Sequence, residues 1–174
     1  GTPQGAVLSP LLANIYLNPL DHRLEDAGFA FVRYADDFVI LSQTREDAER
    51  ALALVQNWVA ENGLALHPTK TKIVDARTEG FDFLGYHFRG ALRLPREKSL
   101  AKLKDAVREQ TKRTNGRDLL FVCARLSCRL RGWFTYFCHC HWSVFRDLDS
   151  WIRGRLRSIL RKRHKRRGRA RGVA

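Results

Sequence analysis

Two adjacent carboxylates, Asp36 and Asp37, stand between two short apolar runs, Phe31-Val32-Arg33-Tyr34 and Phe38-Val39-Ile40-Leu41. An unpaired carboxylate between two buried strands is very costly. The acids therefore belong on a turn where both reach water or a shared cation. Two carboxylates on one tight turn offer hard oxygen ligands of the kind that hold Mg²⁺ beside substrate phosphates. A pair of such ions clamps the attacking and leaving oxygens of a phosphoryl transfer. The plain alternative is a turn with solvated acids, since Asp favours turns by bonding its own backbone. For Tyr34-Ala35-Asp36-Asp37 taken alone, the two readings weigh about evenly.

The apolar runs that flank the acids read as buried strands of a hairpin, with Arg33 a charge on a strand face. Gly1 to Gly5 is a turn-rich entry. Ser9-Pro10 reads as a helix start with Ser9 as N-cap. Leu8, Leu12, Ile15 and Tyr16 then share one face and are expected in the core, and Pro19 should kink or end that helix. A polar connection from Leu20 to Phe29 follows. Thr44 to Asn62 reads as an amphipathic helix: Thr44 with Asp47 resembles a capping box, Ala48, Leu52, Val55 and Val59 form the stripe, and Asn62-Gly63 is the stop. Leu64 to Val74 reads as strand, turn and strand, and Phe81 to Leu94 as a second hairpin.

Composition shifts near Leu94-Pro95 from strand-like to basic and helical. Three helices are expected, over about 97–113, 117–140 and 143–164. Leu119, Cys123, Leu126, Leu130, Trp133 and Phe137 make a seam in the second, and Phe145, Leu148, Ile152, Leu156 and Ile159 in the third. Thr114-Asn115-Gly116 is the turn between the first two.

The motifs in series resemble one family. Tyr34-Ala35-Asp36-Asp37 is similar to the Tyr-X-Asp-Asp box of reverse transcriptases. Gly1 to Leu12 resembles their Pro-Gln-Gly block. Gly63 to Lys72 and Phe83-Leu84-Gly85-Tyr86 resemble the next two blocks, in order and at plausible spacing. Arg131-Gly132-Trp133-Phe134-Thr135-Tyr136-Phe137 resembles the Gly-Trp-X-X-Tyr-Tyr signature of the maturase domain of group II intron-encoded reverse transcriptases. The resemblance runs from residue 1 to about 160.

That resemblance implies an α+β chain. A partial polymerase palm (1–94, a small antiparallel sheet with covering helices) precedes an all-α thumb and maturase region (95–160); by composition alone, Arg/Lys-rich with little apolar content, residues 161–174 read as a disordered basic tail. It implies RNA-directed DNA polymerisation with two Mg²⁺ ions on Asp36 and Asp37. Pro3, Gln4, Gly5, Tyr34 and Ala35 would lie near the template and incoming deoxynucleoside triphosphate. Lys70, with Lys72 as the alternative, would approach the triphosphate. Phe83, Leu84 and Gly85 would be the primer grip. The family has a further essential aspartate and the fingers in earlier blocks, and no acid here matches them. With a start at Gly1 rather than Met, the chain is expected to be part of something longer and inactive alone. The missing region, or a second chain, would then be a partner. The other reading is a non-catalytic RNA-binding, splicing-assisting protein.

Charge supports the nucleic-acid reading. The net charge is +14. Residues 1–90 carry 8 Lys/Arg against 12 Asp/Glu, residues 91–149 carry 13 against 6, and residues 150–174 carry 11 and no acid. Such asymmetry points to phosphate contact by the second half. Arg125, Arg129, Arg131, Arg153, Arg155, Arg157, Arg161, Lys162 and Arg163 are the expected contacts. Trp133, Tyr136 and Trp142 could stack on bases of intron RNA; for Trp133 the core is favoured. No apolar run approaches the roughly 18 residues of a membrane span. The four cysteines, Cys123, Cys128, Cys138 and Cys140, fit a reducing cytosol. Cys138-His139-Cys140-His141 does not suit zinc, because consecutive residues on a helix point around all its sides.

Overall fold

The computed structural model describes residues 8–114 and 116–164. The order is α1 (Ser9–Asp26), β1 (Ala30–Tyr34), β2 (Asp37–Leu41), α2 (Arg45–Glu61), β3 (Phe81–Phe83), β4 (Tyr86–Arg89), β5 (Leu92–Pro95), α3 (Glu97–Gln110), α4 (Leu119–Phe137) and α5 (Trp142–Arg163). The architecture is α+β, in two compact units that divide between Asp75 and Ala76. The compositional shift at Leu94-Pro95 falls elsewhere, because the β3–β5 sheet belongs to the same unit as α3, α4 and α5. Among the described residues no helix is long and apolar enough to cross a membrane.

In the first unit, β1 and β2 pair antiparallel from Ala30↔Leu41 to Tyr34↔Asp37, which leaves only Ala35 and Asp36 in the loop. Leu20, Leu24, Val55, Trp58 and Val59 are the buried core, and Leu17, Phe29, Phe31, Phe38, Ile40 and Leu66 pack against it. The hairpin therefore buries one face only. Val32 and Tyr34 stay exposed, so the strands are half-buried rather than buried. Thr44 caps α2 as expected, accepting from the Asp47 amide at 3.1 Å. Its buried stripe is Ala51, Val55, Trp58 and Val59; Ala48 and Leu52 lie at the margin.

Several expectations for this unit need correction. α1 begins at Ser9 with Leu8 at the cap position and no side-chain cap bond. It runs through Pro19 to Asp26, replacing the polar connection. Leu8, Leu12, Ile15 and Tyr16 are exposed, since the helix turns Leu20 and Leu24 to the core instead. Residues 64–74 hold no strand: the segment turns at His67, whose carbonyl accepts from the amides of Lys70 and Thr71.

In the second unit β3, β4 and β5 form an antiparallel sheet in sequence order, one strand more than a hairpin. Phe83 pairs with Tyr86, so Leu84 and Gly85 alone make the turn. Both have positive φ, 47° and 80°, the requirement of the mirror-image hairpin turn whose twist matches its strands. The core is Leu103, Val107, Val122, Leu126, Leu148 and Ile152, with Leu130, Trp133 and Leu156 against it. Leu126, Leu130, Trp133 and Phe137 of the expected second seam and Leu148, Ile152, Leu156 and Ile159 of the third face inward, while Leu119 and Cys123 stay at the margin and Val122 is buried instead. α4 stops at Phe137, so Cys138 to Cys140 form a turn and not helix. α5 continues to Arg163, three residues into the stretch expected without structure. Residues 165–174, and Asn115 of the expected turn, lie outside the described residues.

Candidate active site and nucleic-acid interface

The two-residue turn of the first hairpin sets the geometry of the acids. Asp36 is the second loop residue and Asp37 opens β2. Both are exposed. Ala35 sits at φ 55°, a conformation that costs a residue with a Cβ roughly 1–2 kcal/mol. The turn is braced by Arg33. Its Nε donates to both oxygens of Asp21, at 2.8 and 3.1 Å, and a second nitrogen also pairs with Asp21. Nη1 donates to the Asn14 amide oxygen and to the Ala35 carbonyl, each at 2.8 Å. The pair is largely buried, with side chains 11% and 18% exposed. Hydrogen bonding to Asp21 holds the Arg33 guanidinium pKa above its ordinary value, against the opposing effect of burial. Arg33 was expected to be a simple strand-face charge. Its link to α1 left no signal in sequence, because Asn14 and Asp21 lie two turns apart on a different element.

Two adjacent carboxylates on an exposed turn fit part of a Mg²⁺ site, which needs one or two carboxylates plus phosphate oxygens. Among the described residues no three His, Cys, Asp or Glu side chains gather. Lys70 and Lys72 are exposed. Tyr34 is exposed and Ala35 half-buried beside the acids, while Pro3, Gln4 and Gly5 lie outside the described residues.

In the second unit, the turn at Leu84-Gly85 is clasped by α4. Tyr136 Oη donates to the Leu84 carbonyl at 2.7 Å, and Tyr86 Oη donates to the Tyr136 carbonyl. The two rings stack with centroids 5.9 Å apart. Burial pushes the Tyr86 phenol pKa up. Phe83, Leu84 and Gly85 are half-buried, and a methyl group on Gly85 would meet Tyr136 and Phe137 at 3.7 Å. Tyr136 therefore braces a turn with its hydroxyl, although its side chain remains exposed.

The cations divide into two groups. Arg125, Arg129 and Arg131 on α4, and Arg157 and Lys162 on α5, are exposed. Arg125 and Arg129 line a cleft of about 590 Å³ with Lys102, Trp133 and Phe137, and a second of about 520 Å³ with Lys112 and Arg117. Lys102, Lys112 and Arg117 were not singled out in the sequence; Lys102 stands next to Leu103 on an amphipathic helix, which was the available clue. Arg155 instead turns inward and donates to the Thr111 hydroxyl and to the carbonyls of Arg108 and Thr111. Burial lowers its pKa. Arg153 pairs with Asp149 at 2.9 Å, Arg161 is half-buried, and Arg163 donates to the Arg117 carbonyl. Trp133 is half-buried and packs on Phe137 at 4.7 Å, as a core residue. Trp142 is exposed beneath the Arg146 guanidinium.

Comparison with known proteins bears on both groups. The family description "Reverse transcriptase (RNA-dependent DNA polymerase)" matches residues 1–88, and "Group II intron, maturase-specific domain" matches residues 100–173. The chain is 32% identical over 81 residues to the retron Ec86 reverse transcriptase of Escherichia coli, covering 44% of this chain and 25% of that protein. It is 25% identical over 144 residues to a 91 kDa protein in the cob intron of Schizosaccharomyces pombe, covering 49% and 18%. It is 36% identical over 78 residues to a Pol polyprotein from the retrotransposable element R2 of Nasonia vitripennis, covering 40% and 8%. The chain thus spans a quarter or less of the length of these relatives.

Proposed function

The chain belongs to the reverse transcriptase (RNA-dependent DNA polymerase) family, and from that membership we propose that it supplies part of the catalytic palm and the RNA-binding helices of a group II intron-encoded reverse transcriptase. The observation that carries this reading is the pair Asp36-Asp37 on a two-residue turn, inside the matched region. The palm portion is residues 1–94 and the thumb and maturase portion 95–160. Asp36 is the first metal ligand, and Asp37 helps position the site or binds the metal indirectly. Mg²⁺ bound there would lower the pKa of a primer 3′-hydroxyl and stabilise charge on the reacting phosphorus. Lys70 neutralises the triphosphate or protonates the leaving pyrophosphate. Pro3, Gln4, Gly5, Tyr34 and Ala35 are the residues assigned to template and nucleotide binding. Phe83, Leu84 and Gly85 hold the primer end, where a glycine lets backbones approach closely.

Primer extension on an RNA template with Mg²⁺ tests it, using residues 1–174 alone and then joined to a segment carrying the family's earlier aspartate and fingers. Extension only by the joined protein, abolished by Asp36→Ala, supports the reading. Extension by residues 1–174 alone, lost with Asp36→Ala, means that another acid here completes the site.

A second reading, splicing assistance by RNA binding alone, is favoured by the exposed arginines of α4 and the match to a maturase-specific domain over residues 100–173. Intron RNA is the partner, and affinity falls steeply with salt as counterions are released. Indifference of binding to Asp36→Ala separates it from polymerisation. Truncation before residue 150 would be a poor test, because it removes Ile152, Leu156 and Ile159 from the core. Substituting surface arginines avoids that loss.

A further inference from the structure

We infer that Arg33 is a positioning residue for the carboxylate pair: anchored on Asp21, it holds the Ala35 carbonyl and thereby fixes where Asp36 and Asp37 point. The inference rests on the reading of Asp36 and Asp37 as metal ligands, and it assigns a role to a residue that makes no contact with substrate itself.

Ala35 and Asp36 share one peptide group, so the direction of the Ala35 carbonyl sets the plane from which the Asp36 Cα departs. Ala35 is an alanine at φ 55°. Alanine favours that region far less than glycine, so the turn conformation needs an external hold. The 2.8 Å bond from Arg33 Nη1 to the Ala35 carbonyl is that hold. Asn14 accepts from the same nitrogen, and Asp21 accepts from Nε on both oxygens. Asn14 and Asp21 both lie on α1, whose Leu20 and Leu24 are 1% exposed. The turn is thus tied through one guanidinium to a helix fixed in the core. A strained backbone residue beside acidic ligands, held by a buried pair, is the pattern of a preorganised site.

The chemistry requires arginine. A guanidinium presents five donors in a rigid fork and serves a bidentate carboxylate and two further acceptors at once. A lysine ammonium keeps the charge but cannot span the three partners. Arg33→Lys should therefore keep the ion pair with Asp21 and release the turn.

The experiment uses residues 1–174 and nuclear magnetic resonance. The first readout is the amide shifts of Ala35, Asp36 and Asp37, against those of Phe31 and Ile40 in the same hairpin. The second is the Mn²⁺ concentration that half-broadens the Asp36 and Asp37 amides. In Arg33→Lys the turn signals are expected to move while Phe31 and Ile40 stay. The Mn²⁺ midpoint should rise about tenfold, the lower end of what loss of an outer partner costs a metal site. Unmoved turn signals overturn the inference, and so does an even shift along the whole hairpin, which would mean support of the fold only. If Arg33→Lys does not fold, Asp21→Asn, which keeps the shape and one acceptor, is read by the same outcomes. Absence of broadening in the unsubstituted chain counts against the metal reading, while the shift comparison still decides the role of Arg33.

Discussion

The hydroxyl of Tyr136 on α4 donates to the carbonyl of Leu84 at the β3–β4 turn, 2.7 Å away. The reverse tie runs from Tyr86 to the Tyr136 carbonyl. Two sequence blocks that lie about 50 residues apart are therefore one structural object. Tyr136→Phe keeps the ring stack and removes one bond. The bond is exposed, so water can replace part of what is lost. The expected loss of unfolding free energy is about 0.5–1.5 kcal/mol, read by urea denaturation of the chain. An unchanged midpoint would mean that the bond contributes nothing in solution.

Leu84 is a branched side chain at φ 47°, followed by Gly85 at 80°. Asn-Gly is the pair best suited to this turn. Leu84→Asn should therefore stabilise the chain by up to about 1 kcal/mol, the strain relieved less the apolar contact given up. If the turn grips a primer, the same substitution should weaken primer extension by the joined protein. A gain in stability with a loss of activity is the signature of strain kept for function. Loss of both would show that Leu84 serves packing alone.

What was legible in sequence follows from local physics. Thr44 with Asp47, the Leu126 to Phe137 part of the second seam, and the acids on a turn depend on spacing within one element and appear as read, whereas Val122 rather than Leu119 or Cys123 carries the start of that seam into the core. Errors arose where another element decides. Leu8, Leu12, Ile15 and Tyr16 have a core-like period, yet α1 turns Leu20 and Leu24 inward. Pro19 sits inside α1 although proline opposes helix interiors. Arg33 and Arg155 look like surface charges in a linear reading. Each becomes an internal brace only because partners from distant segments, Asp21 and Thr111, arrive beside it.

Arg155 separates structure from recognition. It donates to Thr111 Oγ1, which in turn donates to the Val107 carbonyl at 2.6 Å, and it also donates to the carbonyls of Arg108 in α3 and of Thr111, the residue that caps that helix. Thr111 is 1% exposed. Arg155→Gln should therefore cost about 1–3 kcal/mol of stability and leave the salt dependence of RNA binding unchanged. Arg125→Gln and Arg129→Gln should do the opposite. Each should leave stability within about 0.5 kcal/mol and lower the slope of log affinity against log salt by about one. Denaturation and binding titrations at several salt concentrations read both effects. A fall in the salt slope with Arg155→Gln would place that residue on phosphate after all.

Cys140 gives the second unit a pH limit. The residue is 7% exposed, and burial pushes its thiol pKa up from an ordinary 9.0 to about 11, with the nearby Arg93 opposing the shift. Above pH 9 the unfolded chain loses this proton while the folded chain keeps it. The unfolded state then binds fewer protons, and stability falls as pH rises. The contribution of Cys140 is complete below about pH 9 and gone once the folded thiol ionises near 11. Cys140→Ala removes that titration and should flatten the stability curve between those values. Tyr86, whose phenol is also raised by burial from 10.0, keeps its own decline above pH 10 in the variant. Thermal melts of both proteins from pH 8 to 11 make the comparison. Parallel curves would mean that the folded thiol ionises as readily as the unfolded one and that the site around Cys140 opens to water.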